Sequence, residues 1–171
     1  MVARPEMRMK RHGHMVASMI IDWRSADDPL VAGLTNAQQA ELRVVAPHPE
    51  DVAYPLHDGI EFVVGLVDGE PVACGALQRL DEREAEIKRM YVIPPMRRAG
   101  LAREIIAAIE ARAVDDGYVT LRVETGVIYT DAISLYTAAG YARTHTYGEY
   151  TGNPHSACFA KRLRATALTN A

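Results

Sequence analysis

Cysteine is scarce in this chain. Cys74 and Cys158 are the two among 171 residues, too few for a disulfide framework and consistent with a reducing compartment. Apolar runs are short as well; none reaches the roughly 18–20 residues that a helix needs to span a bilayer. Basic charge is not in excess, and a net charge of −3 excludes generic nucleic-acid binding, which needs a basic surface. Arg4, Arg8, Lys10 and Arg11 crowd the N-terminus, yet no apolar stretch long enough for a signal peptide follows them. A soluble cytoplasmic protein with no nucleic-acid or membrane partner is the expectation. His12 and His14 have metal-ligand spacing but no third ligand, so no metal centre is expected, and residues 1–17 read as a disordered tail.

What is present is apolar sequence in strand and helix periods. Hydrophobic residues make up 49% of the chain, enough for one α/β domain over residues 18–163, with a tail at 164–171. Residues 19–23 suit a first strand. Ser25-Ala26-Asp27-Asp28-Pro29 is turn chemistry that can open a helix. Thr35 can cap a second helix, which Pro47 and Pro49 end. Residues 48–59 are polar and proline-punctuated, a loop in which Tyr54, His57 and Asp58 either shape a pocket or decorate the surface. Two Val- and Leu-rich runs, 61–67 and 71–80, flank Asp68-Gly69, a strong hairpin signal. A turn at Asp81-Glu82-Arg83 then leads into a third antiparallel strand over residues 85–93.

Pro94 and Pro95 stop that strand, because neither ring nitrogen can donate to a ladder. Arg97-Arg98-Ala99-Gly100-Leu101-Ala102 follows, after which Leu101, Ile105, Ile109 and Ala113 recur at helical spacing. A strand, a basic glycine-containing loop and a helix N-terminus make an anion site: first-turn N–H groups lack intrahelical partners and the helix dipole adds partial positive charge. A pyrophosphate suits it; an ordinary connection with solvated arginines is the alternative. Asp115-Asp116-Gly117 stops the helix. Residues 118–125, YVTLRVET, are strongly β-prone and should run parallel to the 85–93 strand, because a strand–helix crossover precedes them. Two parallel strands ending beside a helix N-terminus leave a ligand crevice. Asp131 can cap a helix over 132–139, ended by Gly140, and 141–147 and 156–162 suit two final strands.

In this order the segments resemble the GCN5-related N-acetyltransferases, the GNAT family, over residues 19–163. Arg97-Arg98-Ala99-Gly100-Leu101-Ala102 matches the family's Q/R-x-x-G-x-G/A signature, whose backbone amides hold the pyrophosphate of acetyl-CoA. Met90-Tyr91-Val92 matches the strand end that pairs with the pantetheine arm. Ala132-Ile133-Ser134-Leu135-Tyr136-Thr137-Ala138-Ala139-Gly140-Tyr141 matches the A-I-x-L-Y-x-x-x-G-F/Y segment. One position departs: Tyr129 stands where many relatives carry an asparagine that contacts the cofactor. The resemblance implies an α/β fold with a mixed, mostly antiparallel central sheet flanked by helices and splayed between two parallel strands. It also implies acetyl-CoA as co-substrate, and homodimers are common in the family.

Acetyl transfer from a thioester needs a neutral amine, a polarised carbonyl and a protonated leaving thiolate. An alkylamine of pKa about 10 is ammonium at neutral pH, so a base must take its proton. Glu86 sits where several relatives place a glutamate, six residues before Val92, an even interval that nominally puts both on one strand face. The family usually has a bulge between them. The alternative for Glu86 is a solvated carboxylate paired with Lys88 or an arginine. Glu124, near the end of the next strand, is the second candidate base or a site for the amine cation. By resemblance Val92 offers its backbone N–H to the thioester carbonyl, and Tyr136 is the general acid for the thiolate; packing on the core is its other reading. Arg97 and Arg98 add charge near the phosphates. Cys74 and Cys158 have no histidine partner and read as buried, inert thiols.

The expected reaction is direct transfer in a ternary complex to a primary amine of a small molecule or amino acid. A protein lysine or N-terminus is the alternative acceptor, and a non-catalytic acyl-CoA-binding module the alternative class. No motif in residues 25–59 or 148–154 is diagnostic of the acceptor.

Overall fold

The computed structural model describes residues 7–9, 15–46 and 55–164. Strands β1 (Met7–Met9) and β2 (Met15–Ala17) pair antiparallel as a separate two-stranded ribbon, so part of the expected tail is paired with itself. His12, His14 and Tyr54 lie outside the described residues.

The central sheet is built from β3 (Ile20–Arg24), β4 (Glu61–Val67), β5 (Glu70–Arg79), β6 (Glu84–Val92), β7 (Thr120–Gly126), β8 (Ala142–Thr144) and β9 (Ser156–Arg162), in the spatial order β3-β4-β5-β6-β7-β9-β8. Its pairs are antiparallel except β6 with β7. The β4–β5 turn forms as expected: Asp68 and Gly69 both have positive φ, 52° and 85°, the primed-turn geometry that matches strand twist. Helix α2 (Leu101–Asp115) lays Leu101, Ile105, Ile106, Ile109 and Ala113 on one sheet face, against Val63, Ala73, Leu77, Ile87, Leu121 and Val123. Helix α1 (Pro29–Val45) covers the other face, with Val31 and Leu34 on Phe62, Val64, Cys74 and Ala76. Gly75 lets α2 close on the sheet, since a Cβ there would stand 2.7–2.9 Å from the side chains of Met90, Ile105 and Ile109.

Three local expectations are corrected. Residues 29–45 form one helix, not two: Asp28 is the cap, accepting from the Leu30 N–H at 2.8 Å, with Pro29 in the first turn. Thr35 instead lies mid-helix and donates back to the Val31 carbonyl at 2.8 Å. Asp131 does not cap α3 (Thr130–Ala138); the cap position is Tyr129, with no side-chain capping bond, and Asp131 sits in the first turn. The expected strand over 141–147 shrinks to β8, because the chain turns away into the Gly148–Tyr150 helical turn.

The sheet then opens. β6 and β7 are in register from Glu84↔Thr120 to Ile87↔Val123 and part beyond that point. Just past the split, β6 carries a bulge against β5: the register steps from Ala76↔Lys88 to Cys74↔Tyr91, and Arg89 adopts φ 55°. One extra residue reverses the alternation of side chains. Glu86 and Val92 therefore do not share a face. Glu86 lies opposite Gln78 and shares its face with Lys88 and Tyr91, the α1 side; Val92 packs with the α2 core.

Candidate active site

Between the parted strands lies a cleft of about 1210 Å³. Its two ends are built from different materials. At one end is the basic loop. Gly100 caps α2 with φ 90°, a conformation that costs a side chain-bearing residue roughly 1–3 kcal/mol. Arg98 beside it is also left-handed, φ 62°. Arg97, Arg98, Gly100, Leu101, Ala102 and Arg103 line the cleft, so the first-turn amides of α2 border it with the positive end of the helix dipole. Ala99 does not line the cleft; it packs on the core. Arg98 is 88% exposed and reaches Asp131 at 3.7 Å. Arg97 is engaged elsewhere: its Nε donates to the Val92 carbonyl at 2.9 Å and its guanidinium meets Glu41 at 2.7 Å. Met90, Tyr91 and Val92 form the adjoining wall.

The other end is a largely buried polar network drawn from three strands, β6, β7 and β9, and the turn that carries Glu149 and Tyr150. Glu86 is 2% exposed and accepts from the Tyr150 hydroxyl at 2.6 Å. Lys88 donates to Tyr150 Oη at 3.0 Å and to Glu149 at 2.7 Å, and lies 3.8 Å from Glu86. The buried Tyr147 hydroxyl is close enough to help stabilise the Glu86 carboxylate, at a geometry short of a formed hydrogen bond. Burial nevertheless dominates and raises the Glu86 pKa, against the Lys88 charge. Glu124 on β7 is less enclosed. It accepts from Ser156 Oγ at 2.6 Å, and burial, reinforced by the Glu86 charge, pushes its pKa up to about 7. Burial and the neighbouring Glu86 and Glu124 carboxylates raise the Tyr147 and Tyr150 phenols, keeping both protonated.

Tyr136 on α3 is 4% exposed, and its ring meets Tyr141 edge-on at 6.0 Å. It also lines the cleft, and its hydroxyl makes no hydrogen bond to any described residue. Burial, then the Glu124 charge, raises its pKa, so the phenol carries its proton at neutral pH. The packing role read from sequence is met, since the ring belongs to the core, and the residue also lines the cleft. Tyr129 lies flat on Gly126, where a Cβ would stand 2.9 Å from its ring carbons, and lines the cleft between β7 and α3. Cys74 is fully buried, with burial raising its pKa to about 12, and its Sγ donates to the Arg89 carbonyl at 3.4 Å; Cys158 is buried too, and both are free thiols.

The sequence profile of the acetyltransferase (GNAT) family matches residues 6–141. The chain belongs to this family. N-acetyl transfer is the activity of the class. A relative named IAA acetyltransferase, from Azospirillum brasilense, is 35% identical over 105 residues, covering 61% of this chain and 69% of the relative. A Klebsiella pneumoniae structure assigned to the acyl-CoA N-acyltransferases superposes with a TM-score of 0.73 at 30% identity, covering 85% of this chain and 98% of the other. A GNAT acetyltransferase from Elizabethkingia anophelis, solved with acetyl-CoA bound, shares the fold at a TM-score of 0.63 and 18% identity, over 85% and 98% of the two chains.

The structure brings Glu86, Glu124 and Tyr136 to one cleft with the Met90–Val92 wall and the Gly100 loop. Sequence reading left Tyr150, Glu149, Ser156, Gln38 and Glu41 unassigned. None stands in a motif; Tyr150 and Glu86 are 64 residues apart and meet only because β9 and its preceding turn return beside β7.

Proposed function

We propose that the protein moves an acetyl group from acetyl-CoA to a primary amine of a small molecule or amino acid, by direct transfer in a ternary complex. The observation that carries this reading is the splay of β6 from β7, which joins an anion-favouring helix N-terminus to a buried carboxylate pair within one cleft. The acetyl-CoA carried by the Elizabethkingia relative supports the first half.

In this reading the first-turn amides of α2, Gly100, Leu101 and Ala102 among them, hold the pyrophosphate, with Arg98 and Arg103 at the rim. Met90, Tyr91 and Val92 lie along the pantetheine arm, Tyr129 forms the facing wall, and the Val92 N–H polarises the thioester carbonyl. Glu124 takes the proton of the incoming ammonium. As the N–C bond forms and the C–S bond breaks, Tyr136 gives its proton to the leaving thiolate, and the second proton that the nitrogen sheds on becoming an amide restores the phenol. Glu124 is preferred to Glu86 as the group in contact with the amine because Glu86 is held by Tyr150 and Lys88. Glu86 as base is the second reading, favoured by its raised pKa and its place on the cleft.

The test is an acceptor screen by thiol release, with amino acids, alkylamines and lysine-containing peptides, using wild type and Tyr136→Phe. Turnover with a small amine that falls in the variant supports the reading. Release only with peptides moves the acceptor to protein amines. Acetyl-CoA binding with no turnover on any amine would make the chain a binding module.

A further inference from the structure

Arg97 opens the basic loop, yet its guanidinium is spent on the strand and on α1. Its Nε donates to the Val92 carbonyl at 2.9 Å, Nη2 meets Glu41 Oε2 at 2.7 Å, and the cation stands 5.6 Å from the Tyr91 ring centre. The Tyr91 hydroxyl donates to the same Glu41 oxygen at 3.3 Å. One helical turn earlier on α1, Gln38 is only 9% exposed and its Nε2 donates to the Met90 carbonyl at 2.7 Å.

Successive residues of a strand turn their N–H and C=O groups to opposite edges. The Ile93 N–H donates to Val72 on β5, so Val92, one residue away, turns toward the edge that β7 has left. The Val92 N–H thus lies on an edge whose Met90 and Val92 carbonyls are both clamped by side chains. Each carbonyl keeps a second lone pair for a ligand.

We propose that Arg97, anchored by Glu41, is a positioning residue that with Gln38 fixes the Met90–Val92 edge and aims the Val92 amide, and that it is not a phosphate ligand. This rests on the reading of the cleft as an acetyl-CoA site. Arg97 holds the Glu41 carboxyl below the usual carboxylate range, so the pair stays ionised at neutral pH. Its members are 42% and 41% exposed, and a pair so exposed adds little to stability. Its effect is therefore on geometry. Phosphate charge is left to Arg98, whose contact with Asp131 is long and fully exposed, and to Arg103.

The experiment is infrared spectroscopy of acetyl-CoA, isotope-labelled at the thioester carbonyl and bound to the whole protein, beside calorimetric titration with CoA. Wild type is expected to shift the carbonyl band to lower frequency. Arg97→Gln and Glu41→Ala should return it at least halfway to its free position, with CoA affinity within about twofold of wild type, a change smaller than one lost hydrogen bond gives. Arg98→Gln and Arg103→Gln should weaken CoA and leave the band in place. If Arg97→Gln weakens CoA about fivefold or more with the band unmoved, Arg97 is a phosphate ligand and the proposal fails; no effect of either kind also overturns it. Acetyl-CoA bound by wild type without a band shift removes the Val92 role and this proposal with it. No binding at all sinks the proposed function instead.

Discussion

The two ends of the cleft differ in what they are made of. The loop end is main chain: a left-handed glycine, first-turn amides and exposed arginines, all within the six residues from Arg97 to Ala102. The acceptor end is side chain, largely buried and drawn from distant positions, with Glu86 and Lys88 on β6, Glu124 on β7, Glu149 and Tyr150 in a turn, and Ser156 on β9. Backbone recognition tolerates change in most side chains, whereas a buried polar network loses a partner with each substitution and leaves the others unsatisfied. Substitutions should therefore act on chemistry and stability at the acceptor end, and on affinity at the loop end.

The largest effect is expected from Glu124→Gln. With acceptor saturating, wild-type kcat should rise through pH about 7 and level off above it, because the carboxylate must be ionised to take a proton. The variant should lose this limb and about a hundredfold or more in kcat, measured by thiol release across pH. The same change should stabilise the fold in base. The folded-state pKa of Glu124, about 7, stands above the ordinary carboxylate value of 4.5, so the folded chain holds its proton more tightly and stability falls as pH rises between those values. Removing the charge should add roughly 2–3 kcal/mol near pH 8, allowing for screening, and almost nothing near pH 4. Thermal unfolding at the two pH values checks this. If Glu86 is instead the contact base, Glu86→Gln abolishes turnover and Glu124→Gln keeps the pH limb.

Tyr136→Phe comes next, with a fall of about a hundredfold in kcat and an unchanged KM for acetyl-CoA, since the ring and its contact with Tyr141 remain. Steady-state kinetics decide it; an unchanged kcat would return Tyr136 to a packing role. Tyr150→Phe removes the hydroxyl that donates to Glu86 and accepts from Lys88, and should cost about 1–3 kcal/mol in chemical denaturation. The smallest effect belongs to Arg98→Gln at the loop end, a few-fold loss of CoA affinity that fades with salt and leaves stability unchanged. A large stability loss there would erase the contrast between the ends.

The same contrast decides what could be read from sequence. The Asp68-Gly69 turn, the Pro94-Pro95 stop and the helical period after Gly100 are local, and strand order around the split followed from the crossover. Thr35 and Asp131 are capping residue types that do not cap: Asp28 already holds the first cap, Thr35 turns its hydroxyl back to the Val31 carbonyl, and Asp131 sits in the first turn, where the helix dipole favours an acid. The face of Glu86 turned on one extra residue, Arg89, whose left-handed backbone no glycine announced. Tyr150, Ser156 and Gln38 could not be foreseen: each meets its partner across 32 to 64 residues through strand returns and helix packing.

The most direct test of the account is calorimetric titration of acetyl-CoA into the wild-type protein and into Gly100→Asp. The substitution forces a side chain into φ 90° and sets a negative charge at the helix N-terminus, where the account places the pyrophosphate. Micromolar binding by wild type, lost in a variant that keeps its circular dichroism spectrum, is the predicted result. Equal binding by both proteins would contradict the placement of the cofactor on this loop, and no binding by well-folded wild type would contradict the transferase reading itself.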